Sequence, residues 1–218
     1  MTNKQLIETT KTFVKETLKN AEGGHDWFHI ERVYKNSLLI SKTEEVDILV
    51  VQLGALLHDI ADSKFHEGDE TQGPQIAREF LFKHNVDSLV IEHVVNIIKH
   101  LSFKNSLDGK SGFNSKELEV IQDADRLDAI GAIGIARCFN YGGFKNRPIY
   151  DPSVQPNLNM SKVEYKTSTA PTLNHFYGKL LLLKGKMNTK TGKHIAERRH
   201  QFMELYLKQF YAEWDGKL

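Results

Sequence analysis

The sequence predicts an all-α fold. Apolar residues recur at helical spacing through nearly all of its 218 residues, and no stretch of useful length alternates as a strand would. Three of the five prolines (Pro148, Pro152 and Pro156) fall in one irregular segment, 140–160. Leu6, Ile7, Phe13, Val14 and Leu18 give a first amphipathic helix that ends near Asn20, before Gly23-Gly24. Asp26 is placed to cap a second, which carries Ile30, Val33, Tyr34, Leu38 and Ile40. A third, about Glu45 to Ile60, is apolar nearly all round, the signature of a helix at the centre of a bundle.

Two more helices are expected at Gly73–His84 and, capped by Asp87, at Asp87–Leu101. Residues 102–114 read as a loop, and Asn114 with Glu117 forms an N-x-x-E start for the next helix. That helix holds Val120, Ile121, Ala124 and Leu127 and is expected to run on into Ala129–Ala136. Beyond the irregular segment, helices are expected at Pro171–Lys186 and Thr189–Trp214. The whole chain, 1–218, is read as a single domain with a core at about 20–140, the segment 140–160 as lid or connection, and terminal helices at about 171–214. Ile195, Phe202, Met203, Leu205, Tyr206, Phe210 and Trp214 of the last helix suit core packing better than a partner surface.

Composition narrows the function classes. With 40% apolar and 26% charged residues this is an ordinary globular sequence. The 29 basic residues against 28 acidic ones give no long-range pull toward a nucleic-acid polymer or an anionic membrane. No run approaches the roughly 18 apolar residues of a membrane span. Met1–Asn20 is interrupted by charge and lacks the apolar region of a signal peptide. Cys138, the only cysteine, allows neither an internal disulfide nor a Cys-x-x-Cys motif, so a cytoplasmic location is expected.

Chemistry concentrates at His58-Asp59. Two ionisable residues close the most apolar helix of the chain, where leaving a polar group without a partner costs on the order of 2–7 kcal/mol. A cation relieves that cost, because neutral imidazole and carboxylate are both good ligands. Neighbours in mid-helix point about 100° apart, but at a helix end the chain can turn and bring both onto one ion. A His–Asp hydrogen-bonded cap is the plain alternative. His29, one turn into the second helix, and Asp125, in the run Gln122-Asp123-Ala124-Asp125-Arg126-Leu127-Asp128, are the remaining candidates. Asp123 and Asp128 suit a solvated helix face. His93 and His100, seven residues apart, are separated by about 10.5 Å along an axis and do not make a shared second metal site.

The order His29, His58-Asp59, Asp125 resembles the HD superfamily of metal-dependent phosphohydrolases, and its flanks resemble a bacterial subfamily of nucleotide pyrophosphohydrolases. The matching pieces are Gly24-His25-Asp26-Trp27-x-His29-x-x-Arg32-Val33, His58-Asp59-Ile60-Ala61-Asp62-Ser63-Lys64-Phe65, Gln122 to Ala132, and Asn174-His175-Phe176-Tyr177-x-Lys179-Leu180. The resemblance implies one divalent ion held by His29, His58, Asp59 and Asp125, with positions left for water and a substrate oxygen. That donor set suits Mn²⁺ or Mg²⁺, with Fe²⁺, Ni²⁺ or Zn²⁺ as other occupants. Asp62 stands where related enzymes carry a general acid or base. Lys64, Arg126, His100, His175 and Lys179, with Lys99, are candidate substrate contacts. The implied reaction cleaves a nucleoside triphosphate to monophosphate and pyrophosphate. A nucleoside monophosphatase, a signalling-nucleotide hydrolase and a non-enzymatic nucleotide-binding regulator share the same ligands, and a homodimer is compatible with each.

Overall fold

A computed structural model describes residues 1–19, 21, 24–61, 71–101, 112–158, 164 and 168–218. Among the described residues the chain is all helical, without strands, as the sequence predicts. It divides into two compact units, Met1–Asp125 and Arg126–Leu218.

The first unit comprises α1 (Asn3–Thr17), α2 (Trp27–Ser41), α3 (Ile48–Leu57), α4 (Gln72–Lys83), α5 (Ser88–His100) and most of α6 (Lys116–Asp128). The apolar α3 packs against α1, α2 and α5, while α4 lies on α5. Central placement is the only way to bury every side of Val50, Val51, Leu53, Leu56 and Leu57, all of which are buried. The helix begins later than its apolar run suggests, because the Asp47 carboxylate accepts the amides of Leu49 and Val50 and fixes the start there. Asp26 and Asp87 cap α2 and α5 as expected.

Asn114 does not open α6. Ser115 does, its hydroxyl accepting the Leu118 amide at 3.1 Å, while the Glu117 carboxylate reaches instead to the Asp47 amide. Gly54 of α3 marks a close helix contact. A Cβ there would lie 2.6 Å from Ile121 Cδ1 of α6.

In the second unit the helix does not continue from α6 through Ala129. It stops at Asp128, and α7 (Gly131–Phe144) starts afresh after Ile130. Gly131 takes φ +75°, a left-handed conformation open to glycine at little cost, and this breaks the run. The expected helix over 171–186 is also broken. A short α8 (Asn174–Gly178) ends at Lys179, whose φ of −146° and ψ of −59° leave the helical region, and a 3₁₀ turn follows at Leu180–Lys186. Last comes α9 (Lys190–Trp214), capped by Thr189, which packs on α7 and on the 3₁₀ segment. Its inner face buries Ala196, Met203 and Leu207, whereas Phe202, Leu205 and Trp214 are exposed, so core packing accounts for only part of its apolar surface. No described helix is long and apolar enough to cross a membrane.

Candidate metal centre

Three of the four expected side chains converge within the first unit. His29, His58 and Asp125 each present a donor atom, and these atoms all lie within 4.8 Å of one another. His29 sits in the first turn of α2, where its amide donates to the capping carboxylate of Asp26 at 3.0 Å. That cap fixes the helix start and with it the direction of the His29 ring, which is only 2% exposed. His58 is the residue on which α3 ends, and it is 9% exposed. Its Nδ1 lies 2.9 Å from the Ala55 carbonyl. With Nδ1–H donating there, the Nε2 lone pair is directed outward from the helix.

That lone pair faces His29 Nε2 at 3.3 Å, and His29 Nε2 stands 3.5 Å from Asp125 Oδ1. Two nitrogens bound at right angles to one ion at about 2.1 Å would be roughly 3.0 Å apart, so the imidazole spacing fits a shared cation. Two buried imidazole nitrogens and a carboxylate oxygen aimed at one another form a donor set for a divalent metal of the N/O-preferring kind.

Asp59 stands at the edge of this group. Its Oδ2 is 4.0 Å from His29 Nε2 and 2.6 Å from His25 Nδ1. Burial acts to raise its pKa. The hydrogen bond from His25 and the proximity of the His25, His58 and His29 rings outweigh that and hold the carboxyl well below the ordinary carboxylate range. Asp59 is therefore ionised and available as a ligand at neutral pH. His25 lies in the Gly24–Val33 stretch, four residues before His29, and nothing in the sequence marks it as a member of the site.

Of the other expected residues, Asp62 and Lys64 lie outside the described residues. His100 ends α5 with Nδ1 2.8 Å from the Asn96 carbonyl, and Lys99 precedes it. His93 Nε2 meets the Ser115 hydroxyl at 2.9 Å and Glu117 at 3.4 Å, partners that account for it without a metal. Arg126, the first residue of the second unit, is buried and donates to the Lys186 carbonyl. His175 and Lys179 belong to α8 and its end; burial first, then Lys179 and Arg147, pushes the His175 pKa down to about 3. The solvated face expected for Asp123 and Asp128 is not observed. They are 0% and 1% exposed, and Arg137 holds the Asp128 carboxylate at 2.7 Å.

Comparison with known proteins identifies the family. The family profile of the HD domain matches residues 27–130, a span that contains all four expected ligands. A crystal structure of an HD-superfamily hydrolase from Bacillus thuringiensis is 41% identical, covers 98% of this chain and 99% of its own, and superposes with a TM-score of 0.77. The chain belongs to the HD superfamily. As such it is an HD-type metal-dependent phosphohydrolase. The Bacillus subtilis protein YpgQ is 34% identical over 215 residues, 96% of this chain and 94% of YpgQ. A crystal structure of YpgQ in complex with ADP superposes with a TM-score of 0.74, at 31% identity over 98% of this chain and 97% of that one. A Lactobacillus plantarum structure, 34% identical over 99% of this chain and all of its own, gives a TM-score of 0.85.

Proposed function

We propose that this HD protein hydrolyses a nucleoside triphosphate between the α and β phosphates, with one divalent ion held by His29, His58, Asp59 and Asp125. The observation that carries the metal assignment is the pair of buried imidazole Nε2 atoms 3.3 Å apart beside the Asp125 carboxylate. Two imidazoles and two carboxylates match the charge of a divalent cation, and the absence of thiolate suits Mn²⁺ or Mg²⁺. When bound, such an ion supplies Lewis acidity toward a phosphoryl oxygen and acidifies water.

The chain's own residues set the terms of that binding. Ala55 fixes the tautomer of His58, the Asp26 cap fixes the position of His29, and Asp59 arrives already ionised. Asp62, three residues beyond Asp59 in sequence, is assigned the proton transfer. Lys64, Arg126 and Lys179 are assigned to the phosphates, where a cation neutralises charge as the bond breaks, and His100 and His175 to the same oxygens as hydrogen-bonding groups. In this reading residues 1–218 work as one HD-type domain in the reducing cytoplasm, and Cys138 has no part in the chemistry. Nucleotide as the substrate class is supported by the ADP complex of YpgQ.

A panel of nucleoside mono-, di- and triphosphates with Mn²⁺, followed by separate assays for orthophosphate and pyrophosphate, tests the proposal. Pyrophosphate and monophosphate are expected in equal amounts from a triphosphate. Release of orthophosphate alone overturns the bond assignment. Unchanged turnover in His58→Ala and Asp125→Ala overturns the metal assignment.

A further inference from the structure

His25 lies outside the group of side chains whose donor atoms converge, yet it makes a close contact to one of the four expected ligands. Its Nδ1 is 2.6 Å from Asp59 Oδ2, a short, charge-assisted hydrogen bond. His25 stands in the turn just before α2, two residues before Trp27, and about a fifth of its side chain is exposed. Asp59 stands just past the end of α3 and is similarly sheltered. The bond therefore ties the segment that leads into His29 to the segment that follows His58, across 34 residues of sequence.

We infer that His25 is a positioning residue, which holds the Asp59 carboxylate in the orientation that a divalent ion requires. This rests on the metal assignment proposed above. A carboxylate just beyond a helix end has two free side-chain torsions, and only part of their range aims an oxygen at His29 and His58. The Nδ1–H of His25 removes that freedom before an ion arrives. A carboxylate oxygen has two lone pairs, so Oδ2 can accept the imidazole proton and still face the site. The same oxygen is 4.0 Å from His29 Nε2, on the side of the converging donors. Groups that orient a ligand from behind in this way typically change metal affinity by about 10–100-fold when removed.

The test is direct titration of Mn²⁺ into metal-free protein, read from the spin-resonance signal of free Mn²⁺. It uses the parent, His25→Ala, His25→Asn, His58→Ala and Asp59→Ala, with a thermal melt of each metal-free sample. Asparagine places an amide N–H near the position of Nδ1 and can restore the bond. The expected result is a 10–100-fold weaker Kd in His25→Ala and substantial recovery in His25→Asn, with at most a small change in the metal-free melting temperature. A parent-like Kd in His25→Ala overturns the positioning role. So does a loss as complete as that of His58→Ala, which would make His25 a ligand itself, or a loss that tracks the fall in melting temperature and is not recovered by asparagine. If His58→Ala and Asp59→Ala both bind Mn²⁺ like the parent, the metal assignment fails, and that result is distinguishable from failure at His25 alone.

Discussion

The contact between Gly54 and Ile121 links core packing to the site. Gly54 lies four residues before His58 and Ile121 four before Asp125, so one turn separates this contact from a candidate ligand on each helix. A Cβ on residue 54 would lie 2.6 Å from Ile121 Cδ1, about 1 Å inside normal carbon–carbon contact. Gly54→Ala therefore brings an overpacking cost of about 1–3 kcal/mol, partly offset by the gain of about 1 kcal/mol from replacing a helical glycine with alanine. Ile121→Val deletes the Cδ1 atom that clashes and by itself costs about 0.5–1.5 kcal/mol.

The double variant lets the new methyl occupy the vacated space, so its loss of stability should fall short of the sum of the single losses by about 1 kcal/mol or more. Urea unfolding of the four proteins at constant slope measures this, and Mn²⁺ titration of the same samples reads the site. Gly54→Ala is expected to weaken Mn²⁺ binding, and the double variant to recover it. Additive losses within about 0.5 kcal/mol, with Mn²⁺ affinity the same in all four, would show that the contact is not coupled to the site.

Three other outcomes follow from the second unit. Arg137→Ala removes the guanidinium that donates to the buried Asp128 carboxylate at 2.7 Å, while Arg199 still acts on that charge, and should cost about 1.5–3 kcal/mol in urea unfolding, much of it recovered by pairing Asp128→Asn with Arg137→Met. His175, pushed down to about 3 in the folded protein, stays neutral where the unfolded chain already takes up a proton near pH 6.5. Stability from this group is full above pH 6.5 and falls as pH drops toward 3, by about 2 kcal/mol between pH 7 and 5, a loss that His175→Gln should remove from the urea midpoints. Burial pushes the Cys138 thiol up to about 12, so a disulfide reagent should react slowly with the native protein and stoichiometrically once it is unfolded.

Features legible in the sequence were those set by local chemistry. The all-round apolarity of Ile48–Leu57 placed α3 at the centre of its unit, and Asp26, Asp87 and Thr189 marked helix starts through side chains that reach their own backbone. What depended on distant partners was not legible. Asp128 reads as a solvated acid until Arg137, nine residues away on the next helix, is seen to bury it. Asn114 reads as the cap of α6, and Ser115 takes that place with Glu117 drawn to Asp47, 70 residues earlier. Apolar periodicity runs unbroken through Ala129–Ala136, so the break shows only in the backbone, in the extended Ile130 and the positive φ of Gly131. In the same way His58 and Asp59 stood out as polar residues closing an apolar helix, while His25 had nothing local to distinguish it from the other histidines.

The proposed function requires that His29, His58, Asp59 and Asp125 hold one divalent ion. Equilibrium Mn²⁺ titration of the metal-free parent, His58→Ala and Asp125→Ala tests it without reference to any substrate. One Mn²⁺ per chain in the parent, bound about 100-fold or more weakly in both variants whose metal-free folds are intact, is the predicted result. Parent-like stoichiometry and affinity in the two variants would contradict it.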